Sequence, residues 1–408
     1  MSLKVHLEQP DKPEIDLSDL SDDGMVDILA NEEAKEEGYI NFRYNFLEVM
    51  TDKKGKVHKA VHFPLWQYDG CYNGNLHFGP DRISQSLLFD TGDSGIWIKQ
   101  GCCKRKEDRI SDHGNLDYDL DIEEIPENPT SKSYVNTTIV YGNLTSNKIH
   151  VLEPNLYQIE KMDAEVPSKI SINLNMSFSL IHSIKKEDTE IIVGDGLLGL
   201  GDFDDDKHHR FLNELQRKYF KNRHVKMVFH LSPDYDENSW VKIGDLTQNY
   251  PNIFYIDLLR EYKYCKYGEK EWKTDPPSII INYERIALYS NSCLWDTGDF
   301  LIRMKEEDFD TVIKALANGR KIISFHNGMK GFECDSLDEI DPITLQFGHC
   351  FIKLEPEEFA ILGHRFCIIQ IIPRKSCYIT LGTCVMKGRI TIFDLQNSRI
   401  GIQCDKSF

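Results

Sequence analysis

Leu87-Leu88-Phe89-Asp90-Thr91-Gly92-Asp93 decides how this chain is read, because Cys293-Leu294-Trp295-Asp296-Thr297-Gly298-Asp299 repeats its plan far downstream. In each copy an apolar, strand-like run ends on an Asp, and Thr-Gly supplies the turn that follows. A single Asp-Thr-Gly is an ordinary turn, since Asp and Gly favour turns. Two copies with matching flanks, one lobe's length apart, point to two similar halves that present their Asp residues to a shared axis. Two carboxylates held close cannot both ionise easily, so they share a proton. One then acts as base and the other as acid, which is water-activating chemistry.

Outward from these motifs, the texture from about Asp69 onward is that of a mainly β chain. Short runs rich in Val, Ile, Phe and Tyr alternate with Gly, Pro, Asn and Asp clusters. Leu76–Phe78, Ser86–Phe89, Ile139–Tyr141, Val225–Leu231 and Ile390–Phe393 read as strands. Helices are few. His208–Tyr219 and Lys305–Asn318 each carry one apolar stripe, Phe211, Leu212, Leu215 and Tyr219 in the first and Phe309, Val312, Ile313 and Leu316 in the second. Both stripes are expected to pack on the core.

The chain has 408 residues, 40% of them hydrophobic and 28% charged, the balance of a globular protein. At roughly 100–200 residues per domain, about two to three domains fit. The net charge of −18 sets the chain against phosphate backbones, so nucleic acid is excluded as a partner. No apolar run approaches the ~20 residues of a membrane span. Residues 1–65 differ from the rest: Asp11 to Glu37 is acidic and poor in large apolar residues, the composition of a solvated extension. Its opening, MSLKVHLEQPDKPEID, has no apolar core of a signal peptide. Eleven cysteines leave at least one thiol without an intrachain partner, and no Cys-x-x-Cys pair suggests a zinc site.

With these residues in view, the chain resembles the pepsin-like aspartic proteases from about Asp69 to its end. Phe89-Asp90-Thr91-Gly92-Asp93-Ser94-Gly95-Ile96-Trp97 is similar to the family's first active-site motif, and Ile139-Val140-Tyr141-Gly142 to its flap. Gly194 to Leu200 and Tyr378 to Gly382 resemble the hydrophobic-hydrophobic-Gly segments of the two lobes. Ile392-Phe393-Asp394 with Arg399-Ile400-Gly401 resembles the closing hairpin. The resemblance implies a bilobal acid-protease fold with a few short helices, an N-terminal lobe over residues 66–245 and a C-terminal lobe over 246–408. It implies an aspartic-type endopeptidase, a hydrolase that cleaves peptide bonds with water in the interlobe cleft at acidic pH. Asp90 and Asp296 would be the catalytic dyad, supported by Thr91, Gly92, Asp93, Thr297, Gly298 and Asp299. Tyr141 and Gly142 would form the flap over the substrate, with Trp97 behind Tyr141, and Cys334 and Cys367 would form a second-lobe disulfide. No metal and no cofactor are implied. The partner is a protein or peptide substrate, the chain a monomer, and the compartment the cell exterior or an acidic vesicle, although the N-terminus shows no leader.

Three departures temper the resemblance. The family places a Ser or Thr after each Asp-Thr-Gly, whereas this chain has Asp93 and Asp299, and Phe300 replaces a small hydroxyl residue. Four converging carboxylates would repel and raise the group's pKa values. The outcome is either an enzyme that keeps an extra proton or a catalytically silent member that binds peptides or proteins. No Cys lies between 104 and 264 to partner Cys103. The extension is acidic where prosegments are basic; Lys53, Lys54, Lys56 and Lys59 form either a solvated turn or a prosegment's basic cluster.

Other signals are set aside. Gly194-x-Gly196-x-x-Gly199 lacks the βαβ setting of a dinucleotide site. Asp202 to Asp206 lacks the Gly of a calcium loop. His208-His209 reads as a solvated helix start, and Glu123-Glu124 as part of a surface loop. Three sequons, at Asn136, Asn143 and Asn175, matter only in a secreted chain.

Overall fold

Two halves of the chain build one strand arrangement from different residues. In the first, Ile83–Asp90 runs parallel to Gly196–Gly199; that strand pairs antiparallel with Ile96–Lys99, which runs parallel to Ile172–Ser183. In the second, Cys293–Trp295 runs parallel to Ile379–Leu381; that strand pairs antiparallel with Ile302–Lys305, which runs parallel to Ile371–Arg374. Order and sense match at every step. Parallel strands covered on both faces read as unbroken apolar runs, and Leu87, Leu88, Phe89, Cys293, Leu294 and Trp295 are all buried. The motif's apolar lead-in is therefore the strand that carries each Asp to its place.

The computed structural model describes residues 46–51, 56–68, 70–78, 83–99, 130–134, 138–152, 172–183, 194–201, 211–221, 224–233, 239–259, 272–325, 328–363 and 365–405. Among them, fourteen strands join in one large sheet and three smaller sheets complete the second half. The fold is mainly β, as expected. The strands read from sequence lie within Cys71–Phe78, Ile83–Asp90, Thr138–Leu152, Lys226–His230 and Ile390–Asp394. Both helices form. Phe211–Lys218 buries Phe211, Leu212 and Leu215, and Glu306–Ala317 buries Phe309, Val312, Ile313 and Leu316. The second ends on Asn318 in the left-handed region, a common way to stop a helix.

The large sheet ties the halves together. Lys226–His230 is flanked by Ser239–Gly244 on one side and Ile390–Asp394 on the other. Ser239–Gly244 then pairs with Val57–Tyr68, which thereby crosses the position-65 limit of the acidic extension read from sequence. Lys56 pairs with Asp245 at 3.8 Å and Lys59 reaches the Tyr219 ring at 6.0 Å, while Lys53 and Lys54 lie outside the described residues. The closing hairpin Ile390–Asp394 and Arg399–Gln403 is in register. Tyr44–Phe408 forms one compact unit, and among the described residues no helix is long and apolar enough to cross a membrane.

Two cysteine pairs sit at disulfide distance. Cys334 and Cys367, implied by the resemblance, have Cα atoms 5.7 Å apart. Cys350 and Cys404, at 5.4 Å, form a second pair that the sequence did not single out. Cys71, Cys293 and Cys384 are buried thiols and Cys377 is exposed. Cys103, Glu123-Glu124, Asp202 to Asp206 and His208-His209 lie outside the described residues. Gly196–Gly199, the core of the discounted dinucleotide string, is a strand between two others.

Candidate active site

The two Asp-Thr-Gly turns interlock. Thr91 N–H donates to Thr297 Oγ1 at 3.0 Å, and Thr297 N–H donates to Thr91 Oγ1 at the same distance. Each hydroxyl then donates across the axis, Thr91 to the Trp295 carbonyl at 2.9 Å and Thr297 to the Phe89 carbonyl at 2.6 Å. Both threonines are buried, so all four bonds are shielded from water. A buried donor left unmatched costs about 1–3 kcal/mol, which makes this lattice hard to break piecemeal.

The lattice brings the carboxylates together. Gly92 N–H donates to Asp90 Oδ1 at 2.6 Å, and Gly298 N–H to Asp296 Oδ1 at 2.9 Å. Each glycine also makes room for the opposite Asp: a Cβ on Gly92 would stand 2.5 Å from the Asp296 carboxylate, and one on Gly298 would collide with that of Asp90. Glycine is needed here for close approach, with no demand on its backbone angles. Asp90 and Asp296 share a side-chain hydrogen bond.

Electrostatics follow from this crowding. Burial first, then the Asp296 and Asp93 charges, holds the Asp90 carboxyl well above the ordinary range. Burial first, then Asp299, raises Asp296 to about 6, against the pull of Asp90, Gly298 N–H and Arg374. At most one of the two is ionised at weakly acidic pH, the state a general acid–base pair requires.

The two acidic residues after the triplets are accommodated differently. Asp93 is buried, and its Oδ1 accepts from the N–H groups of Ser94 at 2.6 Å and Gly95 at 2.9 Å. Asp299 is instead clamped by Arg303, whose Nε reaches Oδ2 and whose Nη2 reaches Oδ1 at 3.3 Å. The backbones agree even here: the Asp93 carbonyl accepts from Gly201 N–H at 2.6 Å and the Asp299 carbonyl from Thr383 N–H at 2.8 Å. The repulsion expected from sequence is thus present on both sides, and Asp299 is held by a guanidinium as well.

Trp97 packs against Cys71, Leu88 and Leu197, with its indole nitrogen 2.8 Å from where a Cβ on Gly95 would lie. Tyr141 and Gly142 lie in the strand Thr138–Leu152, opposite Ser131 and Thr130 of Thr130–Tyr134, so the segment read from sequence as a flap belongs to an antiparallel strand pair. The side chain of Tyr141 is outside the described set, as is the turn itself. Phe300 crosses between halves: a Cβ on Gly70 would meet its ring at 2.6 Å, and Thr383 Oγ1 donates to the Gly70 carbonyl at 3.1 Å. Sequence reasoning missed Arg303, Arg374 and two buried supports. Trp272 Nε1 donates to the Leu200 carbonyl at 3.0 Å, and Trp295 Nε1 to Thr274 Oγ1 at 3.1 Å.

A mainly β protein whose duplicated halves interlock two Asp-Thr-Gly turns has the framework of an aspartic peptidase. The model of the family described as eukaryotic aspartyl protease matches residues 71–404, and the chain belongs to that family. Gastricsin of Cavia porcellus is 20% identical over 361 residues, covering 84% of this chain and 82% of that protein. Pepsin A of Gallus gallus is 21% identical over 355 residues, covering 83% and 86%. Plasmepsin VII of Plasmodium falciparum is 24% identical over 376 residues, covering 81% and 77%.

Proposed function

We propose that the chain is an active aspartic endopeptidase with Asp90 and Asp296 as its dyad. The observation that carries this reading is the interlocked pair of turns, which would have no reason to keep the buried Asp90 and the half-buried Asp296 in mutual contact unless the two carboxyls shared a proton. The ionised member takes a proton from water while oxygen attacks the scissile carbonyl carbon, and the protonated member gives its proton to the carbonyl oxygen. The tetrahedral adduct collapses as its nitrogen is protonated and leaves. No covalent enzyme intermediate and no metal is invoked. Thr91 and Thr297 hold the turns, Gly92 and Gly298 allow contact, and Tyr141, Gly142 and Trp97 form the flap side of the substrate site. An extended peptide would bind between lobes 66–245 and 246–408 by backbone hydrogen bonds and side-chain contacts. Residues 1–65 would act as a prosegment-like extension whose last part is already a strand of the sheet. The monomeric enzyme would work at weakly acidic pH, outside the cell or in an acidic vesicle, on protein or peptide and not on nucleic acid.

Asp93 and Asp299 favour a second reading, a silent member that binds peptides without cleaving them. Cleavage of an unstructured protein between pH 3 and 8 separates the two. Asp90→Asn and Asp296→Asn should each lose about 10²–10⁴-fold in kcat, the usual worth of a positioned acid or base. A wild-type chain that binds the peptide but leaves it intact at every pH contradicts the enzyme reading.

A further inference from the structure

Eight arginines fall among the described residues, and five of them meet a carboxylate. Arg217 pairs with Glu214, Arg303 with Asp299, Arg320 with Glu339, Arg389 with Glu358 and Asp405, and Arg399 with Asp394. Arg285 and Arg365 are exposed, where water solvates the charge. Arg374 differs from all seven. It is half-buried, yet among the described residues no carboxylate oxygen lies at ion-pair distance from it. A charge drawn out of water costs free energy unless a partner compensates it.

This guanidinium stands beside the dyad. Arg374 ends the strand Ile371–Arg374, in the sheet whose strand Cys293–Trp295 leads to Asp296. Asp296 feels its charge, although burial and Asp299 outweigh that pull. Arg374 Nη1 donates to Thr380 Oγ1 at 3.1 Å, its one hydrogen bond among the described residues, and a guanidinium fork has five N–H donors. The group lies 5.1 Å over the Tyr378 ring, which Lys273 approaches at 4.2 Å. Its strand neighbour Lys305 turns instead to Glu307 at 3.2 Å. A chain of net charge −18 thus gathers positive charge next to its reactive carboxyls.

Building on the endopeptidase reading, we propose that Arg374, steadied by Thr380 and Tyr378, is a specificity-determining residue that takes the carboxylate of a substrate side chain, an Asp or Glu close to the scissile bond. A guanidinium presents two parallel N–H donors to one carboxylate, which the point charge of a lysine does not. Stacking on an aromatic face orients the fork before the peptide arrives. An uncharged side chain at the same position leaves the guanidinium half-buried and uncompensated.

Peptides blocked at both ends, so that no terminal carboxylate competes, carry Glu, Gln or Lys in turn at each position on either side of one scissile bond. At each enzyme's own pH optimum, wild-type kcat/KM should favour Glu over Gln by about tenfold or more at one position. That ratio should fall to near one in Arg374→Met, persist in part in Arg374→Lys, and give way to a preference for Lys in Arg374→Glu. A misfolded chain loses all peptides together and cannot exchange one preference for its opposite. No preference for Glu at any position, or one that survives in Arg374→Met, overturns the proposal. A second set, with a hydroxyethylene unit in place of the scissile amide, resists cleavage and reads binding alone by fluorescence anisotropy. Tighter wild-type binding of Glu than Gln, lost in Arg374→Met, from a chain that cleaves nothing keeps the acidic subsite and removes the endopeptidase reading. Equal binding of Glu and Gln peptides by such a chain removes both.

Discussion

The two Asp-Thr-Gly turns share a backbone and differ in chemistry. Both sit at the end of a buried strand, both lock through a threonine, and both hand a main-chain carbonyl to the following segment, Asp93 to Gly201 and Asp299 to Thr383. The first is completed by Trp97 in an apolar setting, the second by Arg303 on a carboxylate. Duplication explains how two aspartates meet. It leaves their surroundings free to diverge. Here the divergence lies at single positions of an otherwise matched register.

The shared part of that comparison should break hardest. Thr91→Val and Thr297→Val each remove a hydroxyl that both donates and accepts across the axis, stranding a buried N–H and a carbonyl. Each should lower kcat by tenfold or more, by comparable factors, with cleavage of a peptide followed over time. Unequal losses, one variant dead and the other normal, would show that the lock is not symmetric. A smaller effect sharpens the contrast between halves, because both disulfide pairs among the described residues lie in the second. Replacing Cys350 and Cys404 by Ala opens a loop of 54 residues, worth on the order of 4 kcal/mol in the chain-entropy account. Amide exchange should accelerate in Ile343–Phe347 and Cys350–Leu354 while Ile83–Asp90 stays protected. Uniform acceleration would mean that the halves open together.

What the sequence made legible was local. A strand that ends on Asp-Thr-Gly, a helix stripe such as Phe309-Val312-Ile313-Leu316, and a closing hairpin each announce themselves within a dozen residues. Arg303 stayed hidden although it stands four residues from Asp299. Such a spacing signals contact on a helix, but here a turn that doubles back into a strand brings the two together. Arg374 and Thr274 reach the site from distant strands, and no local pattern marks them. Cys350 and Cys404 were equally unreadable, since eleven cysteines allow too many pairings. Asp93 and Asp299 looked alike in sequence because what separates them, two backbone N–H groups against a guanidinium, is fixed only by folding.

The central claim is that Asp90 and Asp296 act as one proton-sharing pair, and the pH–rate profile of peptide cleavage tests it most directly. With Asp296 raised to about 6 and Asp90 held well above the ordinary carboxylate range, kcat/KM should climb as the pair loses its first proton near pH 6 and fall again when the second proton leaves. A bell with that acid limb is the predicted result. Full activity at pH 3, where both carboxyls would be protonated, or a profile with a single limb, would contradict it.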